Sequence, residues 1–168
     1  MQGRGRGIVM RLFHGTNVDF SEICIDRCLP YKDFGQGFYL TDIFEQAKNM
    51  AIRKSRRGGC PIVQEYEIEE RILTGESDCQ ILKFDMPTEK WAEFIIANRE
   101  RRVPCYKHNY DIVIGPVADD GVAYILNRYL EGSFSITDVV RELQFAHLNS
   151  QYMFASDKAI KHLKRIWP

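Results

Sequence analysis

The sequence predicts an α+β fold, and three observations carry that prediction. Stretches with the two-residue period of strands and stretches with helical spacing follow one another without strict alternation, which disfavours a doubly wound parallel sheet. The 168 residues are 45% hydrophobic and 12% aromatic, enough for one substantial core and too few for two ordinary domains. The buried-strand pattern in YDIVIGPV is short, Tyr110 to Ile114, and ends at Gly115-Pro116.

Element by element, residues 1–9 are basic and glycine-rich without the apolar run of a signal peptide, and read as a disordered leader; residues 10–168 read as one domain. MRLFHGT, 10–16, is a short strand that leaves His14 near its end. DFGQGFYLTD, 33–42, is a tight glycine turn feeding a strand, with Phe38 and Leu40 on one face and Tyr39 and Thr41 on the other. From Asp42 to Arg57 the spacing of Ile43, Ala47, Met50 and Ala51 predicts a helix. Asp42 and Glu45 form its capping box, and Arg53, Lys54, Arg56 and Arg57 crowd its last turn.

PIVQEYEIEE, 61–70, and ILKFDM, 81–86, carry strand patterning, with Leu82, Phe84 and Met86 facing one way. PTEKWAEFIIANRERR reads as a surface helix, and Tyr110–Ile114 as a buried strand. DDGVAYILNRYLEG and SITDVVRELQF give two more helices, the first with Asp119 and Asp120 at its N-terminus. A strand over Gln151–Phe154, a cap at Ser156 and a helix bearing Ala159, Ile160 and Leu163 close the chain.

Charge excludes some classes. Lys and Arg number 23, Asp and Glu 23, so any attraction for polyanions must be local. No run approaches the ~20 apolar residues of a membrane span, and the expected setting is cytoplasmic, with delivery into another cell by a signal-independent route left open. Cys24, Cys28, Cys60, Cys79 and Cys105 lack zinc-ribbon spacing and read as reduced packing residues. His108, His147 and His162 share no spacing with acids or cysteines, so no metal is expected.

Two analogies for the glycine turn fail. The dinucleotide fingerprint wants a third glycine where Leu40 stands, and the kinase-like Asp-Phe-Gly has no glycine-rich ATP loop or catalytic loop to accompany it. Taken together, FHGTN, DFGQGFYLTD and NSQYMF resemble the three ordered motifs of the ADP-ribosyltransferase superfamily, in the His-Tyr-Glu branch that includes diphtheria toxin and the poly(ADP-ribose) polymerases. The run through DIVIGPVADD, LQF and KAI is more similar still to a bacterial group of that superfamily described as a domain of unknown function.

The resemblance implies two small antiparallel sheets forming an NAD cleft with helices around them, and a mono-ADP-ribosyltransferase that consumes NAD as substrate, releases nicotinamide and modifies a protein or nucleic-acid acceptor. It implies His14, Tyr39 and Gln151 as the catalytic set. Gly15, Thr16, Phe34, Gly35, Gly37, Leu40, Thr41 and Met50 are the implied NAD-binding positions. Tyr39 offers a flat face to nicotinamide, His14 a hydrogen bond to a ribose hydroxyl, and Gly15 its backbone to the carboxamide. Met50 stands where relatives carry a second aromatic; it reads equally as ring partner or helix core, and Phe34 is the other candidate face.

Gln151 departs from the pattern. Loss of nicotinamide leaves an oxocarbenium-like ribose that a carboxylate stabilises, and a glutamine amide brings no full charge. The alternative reading is therefore a catalytically weak NAD-binding or interaction module of the same fold. Glu142, the nearest upstream acid, falls within a helical pattern and reads as surface.

Overall fold

The computed structural model describes residues 7–117, 120–143 and 149–167. In chain order the elements are β1 (Val9–Thr16), a 3-10 turn (Ile25–Arg27), β2 (Phe38–Thr41), α1 (Phe44–Ser55), β3 (Ile62–Glu69) and α2 (Glu70–Leu73). There follow β4 (Ile81–Lys83), α3 (Glu89–Arg99), β5 (Ile112–Pro116), α4 (Asp120–Leu130), α5 (Ile136–Leu143), β6 (Ser150–Phe154), α6 (Asp157–Ile160) and β7 (Lys164–Ile166).

Among the described residues the strands form one seven-stranded mixed sheet, ordered β4-β5-β6-β2-β1-β3-β7, in which only β4 and β5 run parallel. The α+β class holds; the expectation of two small antiparallel sheets does not. The reason is a single junction. β1 and β2 share one paired position, Phe13 with Thr41, whereas β1 pairs β3 along all of Val9–Thr16 and β2 pairs β6 along all of Phe38–Thr41. That one pair joins the two halves into a continuous ladder, and the strands diverge beyond it.

Paired positions on antiparallel neighbours point to the same face, and that rule sorts the core. On one face Leu12, Phe38, Tyr66, Ile112 and Phe154 pack beneath the segment after β1 and beneath α2 and α6. On the other, Val113 and Met153 meet Trp91 and Ile95 of α3, Leu126 of α4 and Leu143 of α5. Trp91 is fully enclosed, and its indole N–H finds the Pro116 carbonyl at 3.2 Å, so its burial leaves no donor orphaned. Helix α1 covers β1 on this second face through Ala47 and Ala51. It lies so close that a Cβ on Gly15 would stand 2.0 Å from the Ala47 carbonyl oxygen.

Several expected boundaries shift. β1 starts at Val9, and Ile8 already accepts from Glu70 N–H, so residues 8 and 9 are ordered against β3 and α2. The Asp42–Glu45 capping box does not form: α1 starts after Ile43, whose N–H is met by the Thr41 hydroxyl. The strand expected over 81–86 stops at Lys83, and Met86 is exposed. Thr88 and Ser156 do cap α3 and α6 through the N–H groups of Trp91 and Ala159. The last helix ends at Ile160, because the following residues pair with the free edge of β3 as β7, Glu65 opposite Ile166. All five cysteines are free, yet only Cys79 is buried; the packing reading applies to it alone, since Cys24 and Cys60 are exposed and Cys28 and Cys105 half-buried. No described helix is long and apolar enough to cross a membrane.

Candidate functional site

The divergence of β1 from β2 opens a seam, and His14 fills it. Its Nδ1 lies 2.7 Å from the Tyr39 carbonyl. A carbonyl only accepts, so Nδ1 carries the proton and Nε2 presents a lone pair, which has no protein partner among the described residues. The ring packs 4.4 Å from Phe38 and meets the edge of Phe20. Burial, then the Lys54 charge, push its pKa from 6.5 down to about 4, against a small opposing pull from the Tyr39 bond. His14 is therefore an unprotonated acceptor at neutral pH. Lys54 turns inward from α1 and donates to the Gly15 carbonyl at 2.7 Å, while Arg53, Arg56 and Arg57 stay exposed. Burial and the neighbouring Lys32 lower the Lys54 pKa, with Cys28 opposing.

The glycine turn is locked by Tyr39. Its hydroxyl donates to the Gly35 carbonyl at 2.7 Å and accepts from Phe34 N–H at 2.9 Å, while its ring stacks on that of Phe34 at 26° and 6.5 Å. Burial keeps this hydroxyl protonated far above the ordinary tyrosine range. Gly35 has φ +90, and a Cβ there would stand 2.8 Å from Asn98 Oδ1; one on Gly37 would stand 2.3 Å from Met153 Sδ. The bareness of this loop is thus demanded by α3 and β6.

Gln151 faces a carboxylate. On β6 it pairs with Thr41, and its Nε2 donates to Asp33 Oδ2 at 3.2 Å. Asp33 Oδ1 accepts from Arg99 Nε at 2.7 Å and Nη2 at 2.6 Å, with both side chains largely withdrawn from solvent. The Gln151 amide oxygen has no protein partner among the described residues. Next to it on the same face, Thr41 Oγ1 donates to Gln46 Oε1 at 2.8 Å. Asp33 and Arg99 were missing from the sequence-predicted set. Asp33 did open the motif, but nothing local ties it to an arginine 66 residues away or a glutamine 118 residues away.

The match to known proteins can now be set against this geometry. The model of a family described as a protein of unknown function, DUF3990, matches residues 10–165. The chain belongs to the DUF3990 family. No curated protein and no solved structure matches it. DUF3990 membership agrees with the resemblance to a domain of unknown function and brings no activity with it.

Within this DUF3990 chain the predicted site residues separate into groups. His14, Tyr39 and Gln151 lie on the adjacent strands β1, β2 and β6. His14 shares a face with Leu12, Tyr39 and Gln151 share the opposite one, and no described contact joins His14 to Gln151 directly. Phe34 is fully enclosed among the core residues, Leu40 is buried, and Thr16 is buried with its hydroxyl on the Val18 carbonyl at 3.0 Å. Met50 is exposed on α1, and Glu142 on α5. Asp119 and His147 lie outside the described residues, and Asp120 opens α4. His108 is a structural tie: its Nδ1 accepts from Tyr110 N–H at 3.2 Å and its Nε2 donates to the Phe34 carbonyl at 2.7 Å.

One group among the described residues has donors spaced for a metal. Asp78, Cys79 and His162 each bring an atom within 4.8 Å of the others, just ahead of β4. The Lys158 ammonium stands beside them, 2.8 Å from the Asp78 carbonyl and 2.9 Å from Asp111 Oδ2, and burial raises the Cys79 thiol. A resident cation and a reluctant thiolate both work against a divalent ion there.

Proposed function

We propose that this protein is an NAD-dependent mono-ADP-ribosyltransferase that releases nicotinamide and passes ADP-ribose to a macromolecular acceptor. The observation that carries the reading is the Asp33 carboxylate 3.2 Å from the Gln151 amide. The carboxylate absent from β6 is supplied instead by the glycine turn. As the C1′–N bond breaks, nicotinamide leaves with the electron pair and positive charge builds on the ribose; Asp33 stabilises that charge through space. The open Gln151 oxygen accepts from a ribose hydroxyl, and Lys54 with Lys32 draws the pyrophosphate. The acceptor's nucleophile then bonds to C1′ and loses its proton to solvent.

Arg99 favours a second reading. It offsets the Asp33 charge, so the net field at the ribose is that of a dipole, and transfer is slow or gives way to binding alone. Incubation with labelled NAD and a cell lysate separates the two readings. Fixed label supports transfer; a thermal melt raised by NAD without fixed label supports a binding module. A melt unmoved by millimolar NAD removes both. Asp33→Asn is expected to cut turnover, and adding Gln151→Glu to it to restore part of the loss. Gln151→Glu alone sets two carboxylates face to face, so one takes up a proton and the gain is blunted.

A further inference from the structure

Helix α1 ends in a patch of cations that no described carboxylate neutralises. Most of the other described arginines hold carboxylates, as Arg11 holds Glu65, Arg99 holds Asp33 and Arg165 holds Asp19. Arg53, Arg56 and Arg57 are exposed, and among the described residues none of them has such a partner. The helix dipole favours a cation in the last turn, which accounts for Arg53. It does not account for Arg56, which caps α1, or for Arg57 beyond it. Lys54 turns away from them to the Gly15 carbonyl at 2.7 Å. Burial and then Lys32 lower its pKa, and Lys54 adds to the burial that lowers His14, so like charges already crowd this end of the helix. An anion relieves that crowding.

The patch is more than charge. Met50 and Ile52, on the turn before it, are each 40% exposed. Gln46, Met50 and Arg53 follow at spacings of four and three, so they lie in one row along α1, with Arg57 four residues further on. Ile52 and Arg56 are likewise four apart and lie beside that row. The row begins where Gln46 accepts from Thr41, the residue paired with Gln151. It leads from the proposed site out to the arginines. Guanidinium forks take phosphate oxygens in pairs, and unstacked bases pack on apolar side chains and guanidinium planes. An acidic peptide would meet the charges as well; the bare thioether and isoleucine favour a chain that alternates phosphates with flat apolar faces. We infer that this face of α1 docks single-stranded nucleic acid, its phosphates on Arg53, Arg56 and Arg57 and its bases against Met50 and Ile52. The balanced overall charge, 23 against 23, makes this local patch the source of the attraction.

Docking stands without the transferase reading; that the docked strand is the acceptor rests on it. The test is fluorescence anisotropy of a labelled oligo-dT on the full chain without NAD, over about 50 to 200 mM salt. Three phosphate contacts should give log affinity against log salt a slope of about −2. Arg53→Gln, Arg56→Gln and Arg57→Gln made together should weaken low-salt binding about tenfold or more and bring the slope near zero. Met50→Ser with Ile52→Ser should weaken binding and leave the slope as it was. All five side chains are exposed, so these replacements leave the fold intact. An unchanged slope in the triple arginine variant places the strand elsewhere and overturns the inference. So does a polyglutamate peptide that displaces the oligonucleotide at equal charge, or a silent Met50→Ser, Ile52→Ser variant, because the face then reads charge alone. Displacement by excess NAD overturns it too, by moving the strand into the NAD cleft. Binding with no label passing from NAD to the oligonucleotide keeps the docking face and removes the acceptor role. Label fixed to lysate protein with no oligonucleotide bound keeps the transferase and removes the docking face.

Discussion

Gln64 and Gln151 stand on opposite faces of the sheet, and each is tied to an aspartate that an arginine also holds. Gln64 donates to Asp19 Oδ1 at 2.8 Å, where Arg165 Nη2 also donates at 2.6 Å; Gln151 donates to Asp33, which Arg99 holds. The difference lies in the remaining atoms. Gln64 is 1% exposed, donates again to the Phe20 carbonyl at 3.0 Å, and accepts from the Tyr66 hydroxyl at 2.8 Å. Gln151 is half-buried, and its oxygen is open. The same three residue types make a closed staple in one place and leave an open acceptor in the other. Saturation of the hydrogen bonds, more than residue identity, separates the two groups.

The largest effect that tests this contrast is on stability. Gln64→Leu should cost ~3 kcal/mol, because it strips a partner from Asp19 and from the buried Tyr66 hydroxyl. Gln151→Leu should cost under ~1 kcal/mol. Denaturant melts of the two variants decide the matter, and equal losses would break the comparison.

Next in size is a pH effect at His14, which pairs with Gln64 across β1 and β3. Its folded pKa of about 4 lies below the ordinary 6.5, so between those values the unfolded chain binds the extra proton. Stability from this group is complete above about pH 6.5 and is lost as pH falls towards 4. The loss should reach ~2 kcal/mol after allowance for partial exposure. His14→Gln should flatten that part of the stability–pH curve; an unchanged slope would assign it to other groups.

The smallest expected effect sharpens the contrast in activity. Under the proposed transfer, Asp33→Asn should lower NAD turnover about tenfold, ~1.4 kcal/mol, while Asp19→Asn should leave it unaltered. Matching losses in a turnover assay would mean that the two aspartates act only through folding.

The strands that carry His14, Tyr39 and Gln151 were legible because period-two patterning is local. So were Ser156 as a cap and the helical stripe with Ala47 and Ala51. The Asp42–Glu45 box misled because Thr41 reached Ile43 N–H first. β7 was missed because Lys164–Ile166 gains strand geometry from the edge of β3 and has little intrinsic pattern of its own.

By itself, the sequence determined the α+β class, the order of most elements and the three motif strands, since side-chain period and capping act over a few residues. The tertiary structure alone decided that one pair, Phe13 with Thr41, joins the sheet and then lets it split. It alone decided which face each motif residue takes, and that Asp33 and Arg99 come to Gln151. Strand register and charge pairing depend on distance in space, and over separations of 66 and 118 residues that distance is not written in any local pattern.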